Sequence, residues 1–326
     1  MDLRLALYEL AAQHKLNAEG VQKLAQIAGL NREPSQLAYW LPRGVAVLAA
    51  ALGGFGVILW IAANWETLGR FGRFALLQAF FLVMCVGALL KPGARIPLGL
   101  LALLTIGGLF AYFGQTYQTG ADPWQLFAVW AVLALPLALS VRSDVLWTPW
   151  ALIVVTGISL WVYAHTSHRW RVEPQDLGVY AMAWSAALVL TLALSPVFTR
   201  WSGSGPWAMR TAVTLTTTMI TTTALGALFD REMALLYGLG LCLLAGAALA
   251  LASRQLFDIF GLSAVGLGLN VLLIFGLGKV LFHDTRGDNW FGAMLLLGLA
   301  AAGLLAGTVS VLLRLSRRYA PQGGTV

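Results

Sequence analysis

Charged residues are scarce in this sequence. Asp, Glu, Lys and Arg together make up 11% of the 326 positions, whereas hydrophobic residues make up 59%. A soluble globular domain carries about a quarter of charged residues, because water has to solvate its surface. The composition therefore excludes an ordinary soluble domain and indicates that much of the surface faces lipid.

Cysteine and recognisable catalytic motifs are also lacking. The two cysteines, Cys85 and Cys242, both lie inside apolar runs, which excludes a disulfide framework and a cysteine-ligated metal site. The sequence contains no P-loop, no GxSxG elbow, no HExxH and no CxxC. We therefore expect no metal and no cofactor, and nothing in the sequence identifies an enzyme.

The chain is dominated by apolar runs long enough for a helix to cross the hydrocarbon of a bilayer. Their starts often carry a capping residue followed by proline, as at Asp122-Pro123 and Gly205-Pro206, which is typical of a first helical turn. We predict an all-α fold, a polytopic transmembrane bundle of about ten helices. The runs are 44–63, 73–90, 97–114, 123–141, 149–165, 177–196, 206–228, 233–252, 257–282 and 290–313.

The N-terminal region has a different pattern. Leu7 and Leu10 recur at helical spacing, as do Leu24 and Ile27 after a break, which predicts a short amphipathic helical hairpin. Such a hairpin is too small to bury a core of its own, so we expect it to contact the membrane surface or a protein partner. The predicted domains are the cytoplasmic hairpin and linker at 1–43, the membrane bundle at 44–313 and a basic cytoplasmic tail at 314–326.

The distribution of basic residues predicts the orientation. With ten crossings, two thirds of the 21 lysines and arginines fall in the tails and the even-numbered loops. Because basic residues are retained on the cytoplasmic side, both termini are expected in the cytoplasm. The net charge of +7 is then explained by topology, and no nucleic-acid partner is expected.

Polar residues gather on the predicted non-cytoplasmic side, which also holds more than half of the 14 acidic residues. One interpretation is a water-facing cavity that binds a polar ligand or a cation through amide, phenol and carboxylate groups. The other is that loops are polar and that several of these residues simply cap helices. The candidate ligand-binding residues are Asn64, Glu66, Gln115, Tyr117, Gln118, Asp122, Asp288 and Asn289.

Two further polar patterns have a functional and a structural interpretation. His165 and His168 can share a helix face, but a metal site needs three or four converging ligands, so a solvated pair is the simpler interpretation. The run 211–223 is rich in threonine, with Thr214, Thr217, Thr218 and Thr221 on one side at helical spacing. These hydroxyls can line a water path, or they can bond to their own carbonyls and to packed neighbours.

Two segments resemble a known family. The segment 53–77 contains Asn64-Trp65 at the end of the first membrane helix, and 114–139 contains Gly114-Gln115-Thr116-Tyr117 followed by Asp122-Pro123. Over roughly residues 1–140 the chain resembles an uncharacterised family of bacterial membrane proteins, domain of unknown function 2157. The resemblance implies a bacterial inner membrane protein and implies no activity.

Three functions remain open from the sequence. The first is a transporter, channel or lipid-handling protein with a polar cavity open to the non-cytoplasmic side. The second is a non-catalytic assembly or sensor subunit that contacts a partner through the N-terminal hairpin. The third is a membrane-embedded enzyme acting on lipid or glycan carriers, with outer-face carboxylates as acid and base.

Overall fold

The protein is all-helical wherever the computed structural model describes it. The described residues are 9–28, 35–64, 67, 69–117, 120, 122–166, 172–230, 233–283 and 290–319. A short helical stretch at 9–13 precedes α1, and single helical turns occur at Pro92–Ala94, Pro174–Asp176 and Thr199–Ser202. The helices are α1 Ala18–Ile27, α2 Ser35–Ala63, α3 Arg70–Leu90, α4 Arg95–Tyr117, α5 Pro123–Val141, α6 Asp144–His165, α7 Leu177–Ala193, α8 Pro206–Leu228, α9 Ala234–Leu251, α10 Ile259–His283 and α11 Trp290–Tyr319.

The long helices α2 to α11 correspond one to one with the ten predicted apolar runs, and the expected all-α polytopic bundle is confirmed. Nine of them, among the described residues, are long and apolar enough to cross a membrane. The remaining one is α8, whose threonines lower its hydropathy. At 23 residues it spans about 35 Å, which also exceeds the thickness of the hydrocarbon core.

Two helices begin five or more residues before their apolar runs. The first long helix starts at Ser35 and continues through Pro42, so residues 35–43 are helical although we expected a linker there. Directly after this proline, Nη1 of Arg43 donates to the carbonyl of Tyr39 at 2.9 Å. The division into a hairpin domain and a bundle stays a prediction.

The start of α6 corrects a second expectation. The apolar run 149–165 predicted this start at Pro149, but the helix begins at Asp144, and Pro149 lies in its second turn. Ser143 provides the N-cap, since its hydroxyl accepts a hydrogen bond from the amide of Val145 at 3.3 Å. Residues 144–148 were missed because the capping residue precedes the apolar run.

Two helices organise the packing. In the first half of the bundle α4 packs against α2, α3 and α5, and in the second half α8 packs against α6, α7, α9 and α10. The largest apolar cluster surrounds α8 and includes Ile220, Leu236, Leu244 and Leu272, all almost completely buried. Because protein surrounds most of α8, Thr216, Thr217 and Thr221 are buried against neighbouring helices rather than exposed to lipid. This explains how a helix of low hydropathy is accommodated in a membrane protein.

The bundle has two ends, to which we give fixed names. The amide end carries Asn64, Gln115 and Asp122 at the ends of α2 and α4 and the start of α5. The arginine end carries Arg142, Arg200 and Arg254 between α5 and α6, between α7 and α8 and between α9 and α10. The last turn of α11, with Arg317 and Arg318, also lies at the arginine end.

Candidate functional site

The polar cluster predicted at the amide end is only partly within the described residues. Asn64, Gln115, Tyr117 and Asp122 are described, and Gln115, Tyr117 and Asp122 are exposed. The other four candidates, Glu66, Gln118, Asp288 and Asn289, lie outside the described residues.

The parallel packing of α2 and α4 brings the first part of this cluster to one level. Gly54 contacts Leu101 and Leu104, and Ile58 lies beside Gly108, so both helices run in the same direction. Asn64 and Gln115 therefore end their helices at the same end of the bundle. Whether they form one site stays a prediction.

The side chains at this level have local partners. Asn64 donates from Nδ2 to the carbonyl of Trp60 at 2.9 Å, and the ring of Tyr117 lies 4.9 Å from that of Phe113. The carboxylate of Asp122 makes no capping hydrogen bond to α5 within the described part of the chain. The bonding of Asn64 is that of a residue closing its own helix, as the capping interpretation expects.

Two residues that the sequence did not single out lie next to this level. Tyr112 is buried with Ile61 and Leu77, and its hydroxyl donates to the carbonyl of Arg70 at 3.1 Å. The guanidinium of Arg73 is 6.0 Å from the Tyr112 ring, and only 8% of Arg73 is exposed. The sequence contains a signal for this site, because Arg70 and Arg73 stand at the start of an apolar helix, where a guanidinium needs either a partner inside the protein or water.

The histidine and threonine patterns have local explanations. His165 Nδ1 lies 2.8 Å from the carbonyl of Trp161 within the same helix. His168 lies outside the described residues, and among the described ones no three His, Cys, Asp or Glu residues converge as a metal site would require. Thr214 and Thr218 donate to the carbonyls four residues earlier, at 2.8 and 2.9 Å. These hydroxyls bond as the packing interpretation expects.

The most extensive polar bonding lies at the arginine end, opposite to the predicted site. Arg210 in α8 binds Asp258 with two nitrogens, Nη2 at 2.7 Å and Nε at 3.0 Å from Oδ1. The other carboxylate oxygen of Asp258 accepts from the amide of Gly261 at 2.8 Å, which caps the start of α10. Sequence reasoning missed this pair because its members are 48 residues apart.

Asp144 forms the second part of this network. It accepts hydrogen bonds from the amides of Gly205 at 2.6 Å and Trp207 at 2.9 Å, and thereby caps α8 from another helix. Nearby, Trp147 Nε1 donates to the carbonyl of Ser202 at 3.0 Å, and Arg142 donates to the carbonyl of Trp201 at 3.1 Å. The loop between α7 and α8 is therefore anchored to the start of α6.

A groove opens beside this network, between α7, α8, α9 and α10. It consists of an inner cavity of about 180 Å³ and an outer cavity of about 260 Å³, which share Met209 and Leu256 in their walls. We call the two together the α7–α10 groove. The inner cavity is lined by apolar side chains and by the hydroxyls of Thr191, Ser195, Thr216 and Thr217. The outer cavity, which we call the mouth of the groove, has Thr199, Ser204 and Asp258 among its lining residues.

One hydroxyl in the groove stands out. Ser195 is only 3% exposed, and its Oγ has no hydrogen-bond partner among the described residues. A buried hydroxyl without a partner costs about 1–3 kcal/mol. The groove therefore has an apolar wall, a buried donor that a ligand can satisfy, and a polar mouth.

Two further cavities in the described bundle are also largely apolar. One of about 320 Å³ lies between α5, α6 and α7, bounded by Trp124, Phe127 and Trp161. Another of about 340 Å³ lies between α6, α7 and α8, where Thr218 and Thr222 add hydroxyls. Helix α7 borders all of these spaces, because Ala183 lines both of these cavities and Leu188 lines the groove.

Comparison with known proteins adds a family resemblance to this geometry. No curated protein and no solved structure is significantly similar to the chain. One family profile matches part of the chain, and the residues that it covers include Asp144 and the first half of the bundle but not the groove. Residues 8–147 match the profile of the family described as "Predicted membrane protein (DUF2157)", so the chain resembles this family over its first half and is a multi-pass membrane protein.

Proposed function

We propose that this protein handles membrane lipid and that a lipid binds in the α7–α10 groove. We also propose that the protein lies in the bacterial inner membrane with both termini in the cytoplasm. The observation that carries the proposal is that an apolar inner cavity adjoins the mouth, with Met209 and Leu256 in the walls of both. An amphiphile has these two parts in the same order.

The size and opening of the groove support this assignment. The two adjoining volumes together fall within the range of about 300–1,000 Å³ that ligand pockets occupy. Leu192 lines the inner cavity and is itself 53% exposed on the outer surface of the bundle. A chain can therefore reach the cavity laterally from the bilayer without crossing water.

The lining argues against transport of a polar solute. A polar solute or ion has to exchange its hydration for polar groups along its path. The polar side chains of the inner cavity are four hydroxyls, and two of them, Thr191 and Thr216, bond to the carbonyl of Ala187 and to each other at 3.0 Å. Apolar walls with few polar groups suit acyl chains better.

The orientation follows from charge. The basic residues of the arginine end outnumber those of the amide end, and such an excess is characteristic of cytoplasmic loops. The groove then opens towards the cytoplasmic leaflet. This places the working site on the side opposite to the one expected from the polar loops.

Filling the groove tests the proposal. Ala247 lines the inner cavity on α9, so Ala247→Phe should fill it, whereas Ala245→Phe changes an exposed position of the same helix that does not line the groove. Native mass spectrometry of the protein purified in mild detergent should detect bound lipid in the wild type and in Ala245→Phe, and little in Ala247→Phe. Equal lipid in the two variants, or none in the wild type, contradicts the proposal.

The exposed N-terminal region favours a second candidate, an assembly or sensor subunit. Leu10, Leu16 and Ile27 are exposed, Ile27 by 83%, so part of the apolar surface around α1 is uncovered within the described chain. Deletion of residues 1–33 should leave the melting temperature of the bundle unchanged and alter its association state in size-exclusion chromatography. A deletion that prevents membrane insertion would show that this region belongs to the core.

A further inference from the structure

Three arginines near the mouth of the α7–α10 groove have no acidic partner among the described residues. The ring of Phe257, in the wall of the outer cavity, lies 4.8 Å from the ring of Tyr319, which directly follows Arg317 and Arg318. Arg254 lies three residues before Phe257. Arg254, Arg317 and Arg318 are exposed, and none of them forms an ion pair within the described part of the chain.

The acidic groups near the mouth already have hydrogen-bond partners within the protein. Asp258 is bound by two nitrogens of Arg210 and by the amide of Gly261. Asp144 accepts hydrogen bonds from the backbone amides of Gly205 and Trp207. The uncompensated charge at the mouth is therefore positive, and it favours an anion there.

From this arrangement we infer that the occupant is an anionic membrane lipid, a glycerophospholipid of net negative headgroup charge such as phosphatidylglycerol. The inference rests on the proposed lipid groove and adds the identity of the headgroup. The phosphate lies among Arg254, Arg317 and Arg318, and an acyl chain enters the inner cavity. The Ser195 hydroxyl donates to an ester oxygen of the lipid, which gives this buried group the partner that the protein does not supply.

The arginine contacts and the Ser195 contact should have different effects on lipid binding. Each arginine at a membrane surface raises the affinity for acidic lipid by about fivefold, and this effect becomes smaller as the salt concentration rises. The Ser195 contact is to an ester group that anionic and zwitterionic phospholipids share. Loss of the arginines should therefore remove headgroup preference, whereas loss of Ser195 should weaken both lipid classes alike.

The test uses the full chain in detergent, delipidated and titrated with phosphatidylglycerol or phosphatidylethanolamine under native mass spectrometry. The wild type should bind phosphatidylglycerol at least about tenfold more tightly. Arg254→Gln with Arg317→Gln should reduce this ratio to near one. The control, Lys91→Gln with Arg95→Gln, removes two charges between α3 and α4, in the other half of the bundle, and should keep the ratio. Ser195→Ala should weaken both lipids and leave the ratio unchanged.

The outcomes distinguish the inference from the proposed function. Equal binding of the two lipids by the wild type overturns the anionic headgroup and leaves the lipid groove intact. Failure to bind either lipid overturns both. A further titration adds inorganic phosphate to the complex with phosphatidylglycerol. Displacement of the lipid by millimolar phosphate would show an anion site that does not require a lipid, and it would also overturn the inference.

Discussion

The guanidinium of Arg210 binds the carboxylate of Asp258 through two of its nitrogens, and this pair joins the start of α8 to the start of α10. At the opposite ends of the same two helices, Lys279 of α10 donates to the carbonyl of Leu228, the last residue of α8. Helix α8 thus has a carboxylate, Asp144, at its amino end and an ammonium at its carboxyl end. Both charges complement the helix dipole.

The cap that Asp144 provides should contribute measurably to stability. Asp144→Asn removes the negative charge that faces the amides of Gly205 and Trp207. We expect a loss of about 1 kcal/mol or slightly more, measured as a lower melting temperature in detergent. Asp122→Asn is the matched control, because Asp122 precedes α5 without a side-chain cap bond and should leave the melting temperature unchanged. Equal effects of the two changes would argue against capping across helices.

Gly268 should tolerate no side chain, because two threonines of α8 occupy the space. A Cβ built there would lie 2.7 Å from Thr221 Oγ1 and 2.8 Å from Thr217 Cγ2. Gly268→Ala should therefore separate α8 from α10 and cost about 1–3 kcal/mol. Gly303→Ala on α11, where a Cβ meets nothing within 4 Å, should be neutral or slightly stabilising. Comparable melting temperatures for the two variants would contradict the packing.

The orientation can be measured in intact cells. In a variant with Cys85 and Cys242 replaced by alanine, a cysteine at Thr119 should react with an impermeant maleimide added to the outside of the cells. A cysteine at Thr325 should react only after permeabilisation, because the basic residues predict a cytoplasmic location for it. Reaction of both positions from the same face would invalidate the topology and the assignment of the groove to the cytoplasmic leaflet.

The predicted cluster at the amide end can be tested by cross-linking. Asn64 and Gln115 end parallel helices at one level, so cysteines at both positions should form a disulfide or a short bifunctional cross-link in the cysteine-free background. Asn64 paired with Ser140, near the arginine end, is the control and should not react. Absence of a cross-link between 64 and 115 would show that the two amides face different neighbours.

Local chemistry was sufficient for the helices. The long apolar runs predicted each of α2 to α11, and the starts of α5 and α8 at Pro123 and Pro206 follow from a proline directly after Asp122 and Gly205. The same reasoning placed the start of α6 too late, because the capping residue Ser143 precedes the apolar run. These features depend on neighbouring residues alone, so one sequence contains what is needed to infer them.

The sequence by itself therefore determined a multi-pass helical membrane protein, because crossing hydrocarbon requires long apolar helices whatever their arrangement. Only the tertiary structure decided which polar groups meet. Ser195, Met209 and Leu256 line one groove, although they belong to α8 and to two different loops, and Arg210 finds Asp258 across two helices. These contacts depend on which helices are neighbours in the bundle. Hydropathy indicates that a helix lies in the membrane, but it does not indicate which other helices that helix contacts.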